Sequence, residues 1–195
     1  MRSRDAVTLF ITTGVVASAF LLPQVDASLV HPAVEGSLVR DAKGCPGSGD
    51  VPTRANLRST RTAILCLLNR ARTRHGLAPL GRNSSLELAS QRHSEDMALR
   101  DFYEHDTPEG ADPAQTGRRR RVSDPGASVG ENIHWGIEEN ATPVRIFRDW
   151  MESPGHRENI LRPQFTEVGV GVAHEAPQPS FRGRVGVYTT DFGGH

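Results

Sequence analysis

Apolar residues recur at helical spacing early in the chain and alternate with period two near its end, which predicts an α+β domain with helices first and strands later. Three observations carry this. Residues 57–75 and the stretch from Ser84 onward each show one apolar face. Val144, Phe147 and Met151, with Ile146 and Trp150 beside them, form a third apolar side. Two Val-rich alternating runs follow at 168–172 and 184–192. The 195 residues are 36% hydrophobic, enough for one globular domain with a core plus some sequence outside it. Lys+Arg and Asp+Glu both number 23, and aromatics make up only 6%. That balance offers no basic footprint and little stacking surface, so a nucleic-acid partner is not expected.

Residues 1–27 resemble a secretory signal. Arg2 and Arg4 form a positive start, a mostly apolar run extends from Ala6 to Leu22, and Val25-Asp26-Ala27 resembles a small-x-small cleavage site. The run is interrupted by Thr8, Thr12, Thr13, Gly14 and Ser18. It is therefore marginal as a spanning helix, and no stable membrane span is expected after cleavage. Residues 28–55 carry Pro, Gly, Asp and Ser with little periodicity and read as a linker or extended arm ahead of a domain at 56–195. Cys45 and Cys66 both fall in the exported part. An isolated pair in an oxidising compartment most simply forms one disulfide; two free thiols are the alternative.

The first helix is expected over Leu57 to His75. Leu57, Ile64, Leu68 and Ala71 share a face, and Arg58, Arg61, Arg70, Arg72 and Arg74 read as the solvated one. Gly76 supplies the C-terminal stop. The second helix starts at Ser84, where Ser84-Ser85-Leu86-Glu87 reads as a capping box. Leu86, Ala89, His93 and Met97 share its inner face, so His93 reads as a core histidine bonded to a backbone carbonyl. Asn83-Ser84-Ser85 and Asn140-Ala141-Thr142 match the glycosylation acceptor pattern, but both overlap helix starts.

A turn-rich loop follows Phe102-Tyr103 and carries His105. Arg118 to Arg121 is too short a basic run for a nucleic-acid tract. In Gly130-Glu131-Asn132-Ile133 the carboxylate of Glu131 is expected at the mouth of a packed core. Thr142 and Pro143 suit the start of the third helix, and Pro154 ends it at Ser153. His156 is then held just past a helix end by a stiff turn. It suits metal ligation or proton transfer, or else caps the helix C-terminus. The strands at 168–172 and 184–192 are expected to be joined by a hairpin loop, Glu175 to Gly183.

Several of these stretches resemble, in order, the motifs of one family. They are Leu67-Leu68-Asn69-Arg70-Ala71-Arg72 with Gly76-Leu77-Ala78-Pro79-Leu80; His93-Ser94-Glu95-Asp96-Met97-Ala98; and Glu104-His105-Asp106-Thr107-Pro108-Glu109-Gly110. Then come Gly130-Glu131-Asn132-Ile133, the run Trp150 through Leu161, and Phe165 through Gly171. Over roughly residues 57–192 the chain resembles a secreted bacterial member of the CAP superfamily, the SCP-like extracellular proteins. The resemblance implies an α-β-α sandwich with a central, mostly antiparallel sheet. It also implies a cleft with two histidines and acidic residues, carried here by His105, Glu131 and His156. A second glutamate belongs on the helix of Trp150. Glu152 stands one position short of the family spacing, a rotation of about 100° on a helix, and Ser153 fills the expected place.

The resemblance implies no single activity, because CAP proteins include metal binders, sterol or lipid binders and proposed proteases. The residues point first to a secreted or cell-envelope binding module, a monomer, whose cleft can take Zn²⁺ or another divalent metal for an extracellular or cell-envelope ligand. A hydrolase assisted by a metal or by the His–Glu pair is the alternative, with His105, Glu131 and His156 as its catalytic candidates. Lipid or sterol binding is a third. The match Gly126-Ala127-Ser128-Val129-Gly130 resembles a nucleophile elbow, but it lacks the strand-before, helix-after context that chemistry needs.

Overall fold

Helix α1 (Leu57–Arg74) turns Ile64, Leu67, Leu68 and Ala71 into the core, as its spacing predicts. The computed structural model describes residues 43–110, 128–175 and 183–194. The expected signal at 1–27, residues 28–42 of the arm, Arg118–Arg121 and Gly126-Ala127 lie outside these. Of the arm, residues 43–55 form turns without helix or strand. Cys45, Ser48 and Pro52 are buried there, and the carbonyl of Ser48 accepts from Val144 N at 2.9 Å. Cys45 is bonded to Cys66 of α1, Cα to Cα 5.7 Å, which staples this segment to the first helix.

Arg72 corrects the reading of the α1 arginines as a solvated face. It is 1% exposed. Its guanidinium donates to four main-chain carbonyls: Ala78 O at 2.8 Å, Ile160 O and Arg162 O at 2.9 Å each, and Phe165 O at 2.8 Å. Burial lowers its pKa. Gly76, at φ +71°, ends the helix in the left-handed region that glycine tolerates.

A two-residue strand β1 (Gly81–Arg82) precedes α2 (Ser84–Leu99). The cap of α2 is Asn83 rather than Ser84: its side chain accepts from Ser85 N and Leu86 N at 3.0 Å each. Strand β2 (Ser128–Ile137) follows the undescribed stretch and leads through a 3-10 turn, Glu138–Ala141, into α3 (Pro143–Glu152). Thr142 stands at the N-cap of α3, but its hydroxyl donates back to Glu139 O instead of capping. Pro154 does end α3, yet it also opens a second helix, α4 (Pro154–Leu161). His156 therefore lies in the first turn of a new helix and not in a stiff turn past the old one. Proline at the first helical position explains this, since no N–H is needed there.

Strands β3 (Glu167–Ala173) and β4 (Val185–Gly194) are the two alternating runs. The sheet order is β1-β3-β4-β2, with β1 parallel to β3 and the other two pairings antiparallel. One face carries Val168, Val170, Val172, Tyr188 and Phe192 against α1, α3 and α4. The other carries Ile133, Ala173, Val185 and Val187 against Met97 and Ala98 of α2. The chain is thus an α-β-α sandwich. Helix α2 meets β3 backbone to backbone at two glycines: a Cβ built on Gly169 would lie 2.0 Å from the carbonyl carbon of Leu86, and one on Gly171 2.1 Å from Ser90 O.

Candidate functional site

The alternation of β2 sorts its polar residues between the two layers. Glu131 and Ile133 turn toward α2, whereas Asn132 and His134 turn toward α3 and α4. Beyond α2 the chain reverses at Asp101, φ +58°. Tyr103 then fixes the following loop to β2 by donating to Ile133 O at 3.1 Å. Its phenol is pushed up to about 12, by burial first and then by Glu104.

That fixing brings His105 against Glu131, Nδ1 to Oε1 2.7 Å. The Glu131 side chain is 5% exposed, the His105 ring 59%. The second carboxylate oxygen, Oε2, is buried without a hydrogen-bond partner among the described residues. It lies 3.9 Å from Nε2 of His93. His93 is fully buried, as expected, but its polar neighbour is this carboxylate rather than the backbone carbonyl expected for it. Asp191, also fully buried, pairs with Glu131 across the strands and accepts from Ser90 Oγ at 2.8 Å.

His156 is placed by two asparagines. Asn132, fully buried, donates through Nδ2 to His156 O at 3.0 Å. Asn159 donates to Asn132 Oδ1 at 2.9 Å and to Glu131 O at 3.1 Å. The first turn of α4 is thereby tied to the strand that carries Glu131. The imidazole of His156 is held below its ordinary value of 6.5, chiefly by burial, then by the nearby charges of His134 and His105. Sequence reasoning missed His134. Its Nε2 meets Asp149 Oδ2 at 3.0 Å, and both side chains are partly exposed. Reading 128–137 as a strand would have placed it on the same side as Asn132.

Glu152 does not join this group; it pairs with Arg148 on the outside of α3, Oε1 to Nε 2.7 Å. Ser128 is followed directly by strand β2, where an elbow's order needs a helix.

The sequence profile of CAP, the cysteine-rich secretory protein family, matches residues 65–190, more than half of the chain. The chain belongs to the CAP family. This CAP domain is 36% identical over 108 residues to the Bacillus subtilis protein YkwD, spanning 55% of the chain and 40% of YkwD. It is also similar to an extracellular protein containing an SCP domain from Bacillus anthracis. That match has TM-score 0.55 and 29% identity over 72% of this chain and 43% of that one. An outer surface protein of Borrelia burgdorferi shares the fold at TM-score 0.55 and 18% identity, covering 74% of this chain and 96% of that one. The chain thus spans less than half the length of these Bacillus proteins.

The candidate donors, imidazoles and a carboxylate with one unsatisfied buried oxygen, fit a borderline divalent ion in kind. Among the described residues no three His, Cys, Asp or Glu side chains converge to hold an ion.

Proposed function

We propose that this CAP domain works outside the cytoplasm as a monomeric binding module whose histidine-lined cleft takes a divalent metal ion. The observation that carries this is the 2.7 Å bond from His105 Nδ1 to Glu131 Oε1. A carboxylate bound to one imidazole nitrogen fixes the tautomer and makes the opposite nitrogen the better ligand. His105 would offer Nε2 in this way, with Glu131 as its orienting partner. His156 supplies a second imidazole, and burial lowers its pKa, which favours the neutral form that ligates. When bound, the ion polarises or orients whatever extracellular or cell-envelope ligand reaches the cleft.

The extracytoplasmic assignment is supported by the signal-like start, the Cys45–Cys66 disulfide and the likeness to an extracellular protein of Bacillus anthracis. Among the described residues no helix is long and apolar enough to cross a membrane. Two nitrogens are fewer than the three ligands usual for catalytic zinc, so these two alone give modest affinity. Calorimetry with zinc on the wild type, His105→Ala and His156→Ala tests the reading. Both substitutions are expected to weaken binding, and an affinity unchanged in both would remove the metal site.

A further inference from the structure

We propose that His93 is a positioning residue for the His105–Glu131 pair: the Nε2–H of its buried ring holds one oxygen of Glu131, so that the other stays aimed at Nδ1 of His105. The proposal rests on the His105–Glu131 bond that carries the reading above, and it gives the core histidine of α2 a part in the cleft.

The layer under α2 is polar. Ser90, His93 and Ser94 share the inner face of the helix, and all three are fully buried. Ser90 Oγ donates to Asp191 Oδ2 at 2.8 Å, and Ser94 Oγ to Thr189 Oγ1 at 2.9 Å. His93 turns Nε2 toward Glu131 Oε2 at 3.9 Å. Glu131 and Asp191 stand opposite each other on β2 and β4. The carbonyls of Glu131 and Ile133 accept from Asn159, Tyr103 and Trp150. That marks Glu131 and Asp191 as a non-hydrogen-bonded pair, about 4.5 Å between Cα atoms, with side chains at their closest. Two buried carboxylates therefore lie side by side. Ser90 serves one of them, and His93, one turn along the helix, faces the other.

An ionised carboxylate only accepts, and Glu131 Oε2 is buried without a hydrogen bond among the described residues. Leaving it so is costly, and the imidazole nitrogen that faces it can supply the donor. The 3.9 Å separation is about 1 Å longer than a charge-assisted N–H···O bond. The last torsions of glutamate and histidine are broad, so a small turn of either group closes it without main-chain movement. With Oε2 held from below, Oε1 keeps its 2.7 Å contact with His105 Nδ1, although the His105 ring is largely exposed. The His93 ring also lies 6.1 Å, centroid to centroid, from Phe102, at the root of the loop that carries His105. It thus supports both halves of the pair, the carboxylate directly and the loop through Phe102.

The experiment uses the secreted full chain, free of metal and with ¹⁵N-labelled histidine. Long-range ¹H–¹⁵N correlation reads which nitrogen of each ring carries the proton. In wild type, His93 should show a protonated Nε2, and His105 a single tautomer with the proton on Nδ1 and Nε2 bare. His93→Phe keeps the ring against Phe102 and removes the donor. There the His105 pattern should collapse to an average of the two tautomers, while circular dichroism stays unchanged. His93→Gln, whose amide N–H can reach the same oxygen, should restore the single tautomer. A bare Nε2 on His93 in wild type overturns the proposal, and so does an unchanged His105 pattern in His93→Phe. The first of these needs no variant, so the proposal stays open to refutation if His93→Phe does not fold. Zinc calorimetry on the same wild type separates the two readings. No zinc binding with His105 held in one tautomer removes the metal and leaves the role of His93. A wild-type His105 that averages between tautomers overturns both, since both rest on its bond to Glu131.

Discussion

Replacing Arg72 with methionine keeps most of the side-chain length and removes the guanidinium. Four carbonyls then lose a charged donor: Ala78 O in the exit of α1, and Ile160 O, Arg162 O and Phe165 O in the passage from α4 to β3. Arg72 is 1% exposed, so water does not replace those bonds without opening the core. An orphaned buried acceptor costs roughly 1 kcal/mol or more, which gives about 4 kcal/mol for the set. Relief from burying the cation, visible in its lowered pKa, returns part of this, leaving about 2–4 kcal/mol net. For a domain of this size that is a fall in Tm of roughly 5–15 °C. Urea denaturation should show a lower midpoint with an unchanged slope. Lysine should rescue little, because one ammonium cannot span the fork. Arg58→Met, on the exposed side of the same helix, should stay within about 0.5 kcal/mol of wild type. A loss under about 1 kcal/mol for Arg72→Met would refute the argument that these four bonds hold α4 and its histidine in place.

Substituting both Cys45 and Cys66 by serine opens a crosslink with a sequence separation of 21 and should cost about 3 kcal/mol by denaturant titration. Gly171→Ala should cost at least about 3 kcal/mol, because its Cβ would sit 2.1 Å from Ser90 O and backbone cannot yield cheaply; Gly155→Ala, with nothing within 4 Å, should be tolerated. His156 has a folded pKa below the ordinary 6.5. It therefore contributes stability that is present above that value and is lost as pH falls toward the lowered folded one. His156→Gln should flatten the decline in Tm over that window, and an identical pH profile would contradict the shift. Ser128→Ala should leave labelling by a serine-directed fluorophosphonate unchanged, since Ser128 begins a strand instead of ending one.

Local chemistry made much of the frame legible. The apolar faces of α1 and α2, the proline after α3 and the valine alternation of β3 and β4 each follow from residues a few positions apart. Strand β2 was hidden because its face toward α3 and α4 is Gly130, Asn132 and His134, and Glu131 interrupts the alternation of Val129, Ile133 and Trp135 on its other face. The cap of α2 was missed by one residue because Asn83 and Ser84 are both good caps, and only the packed helix shows which side chain reaches Ser85 N and Leu86 N.

By itself, the sequence determined the family, the α+β class, the cysteine pair and the presence of histidines at 105 and 156. These depend on residue identity and short-range order. Only the tertiary structure decided that Glu131 bonds His105, that Asn132 ties down His156, that His134 faces Asp149, and that Arg72 is buried among carbonyls. Those contacts join residues 15 to 93 positions apart. Their strength lies in distance and burial, which exist only after the layers have packed and water has left the space between them.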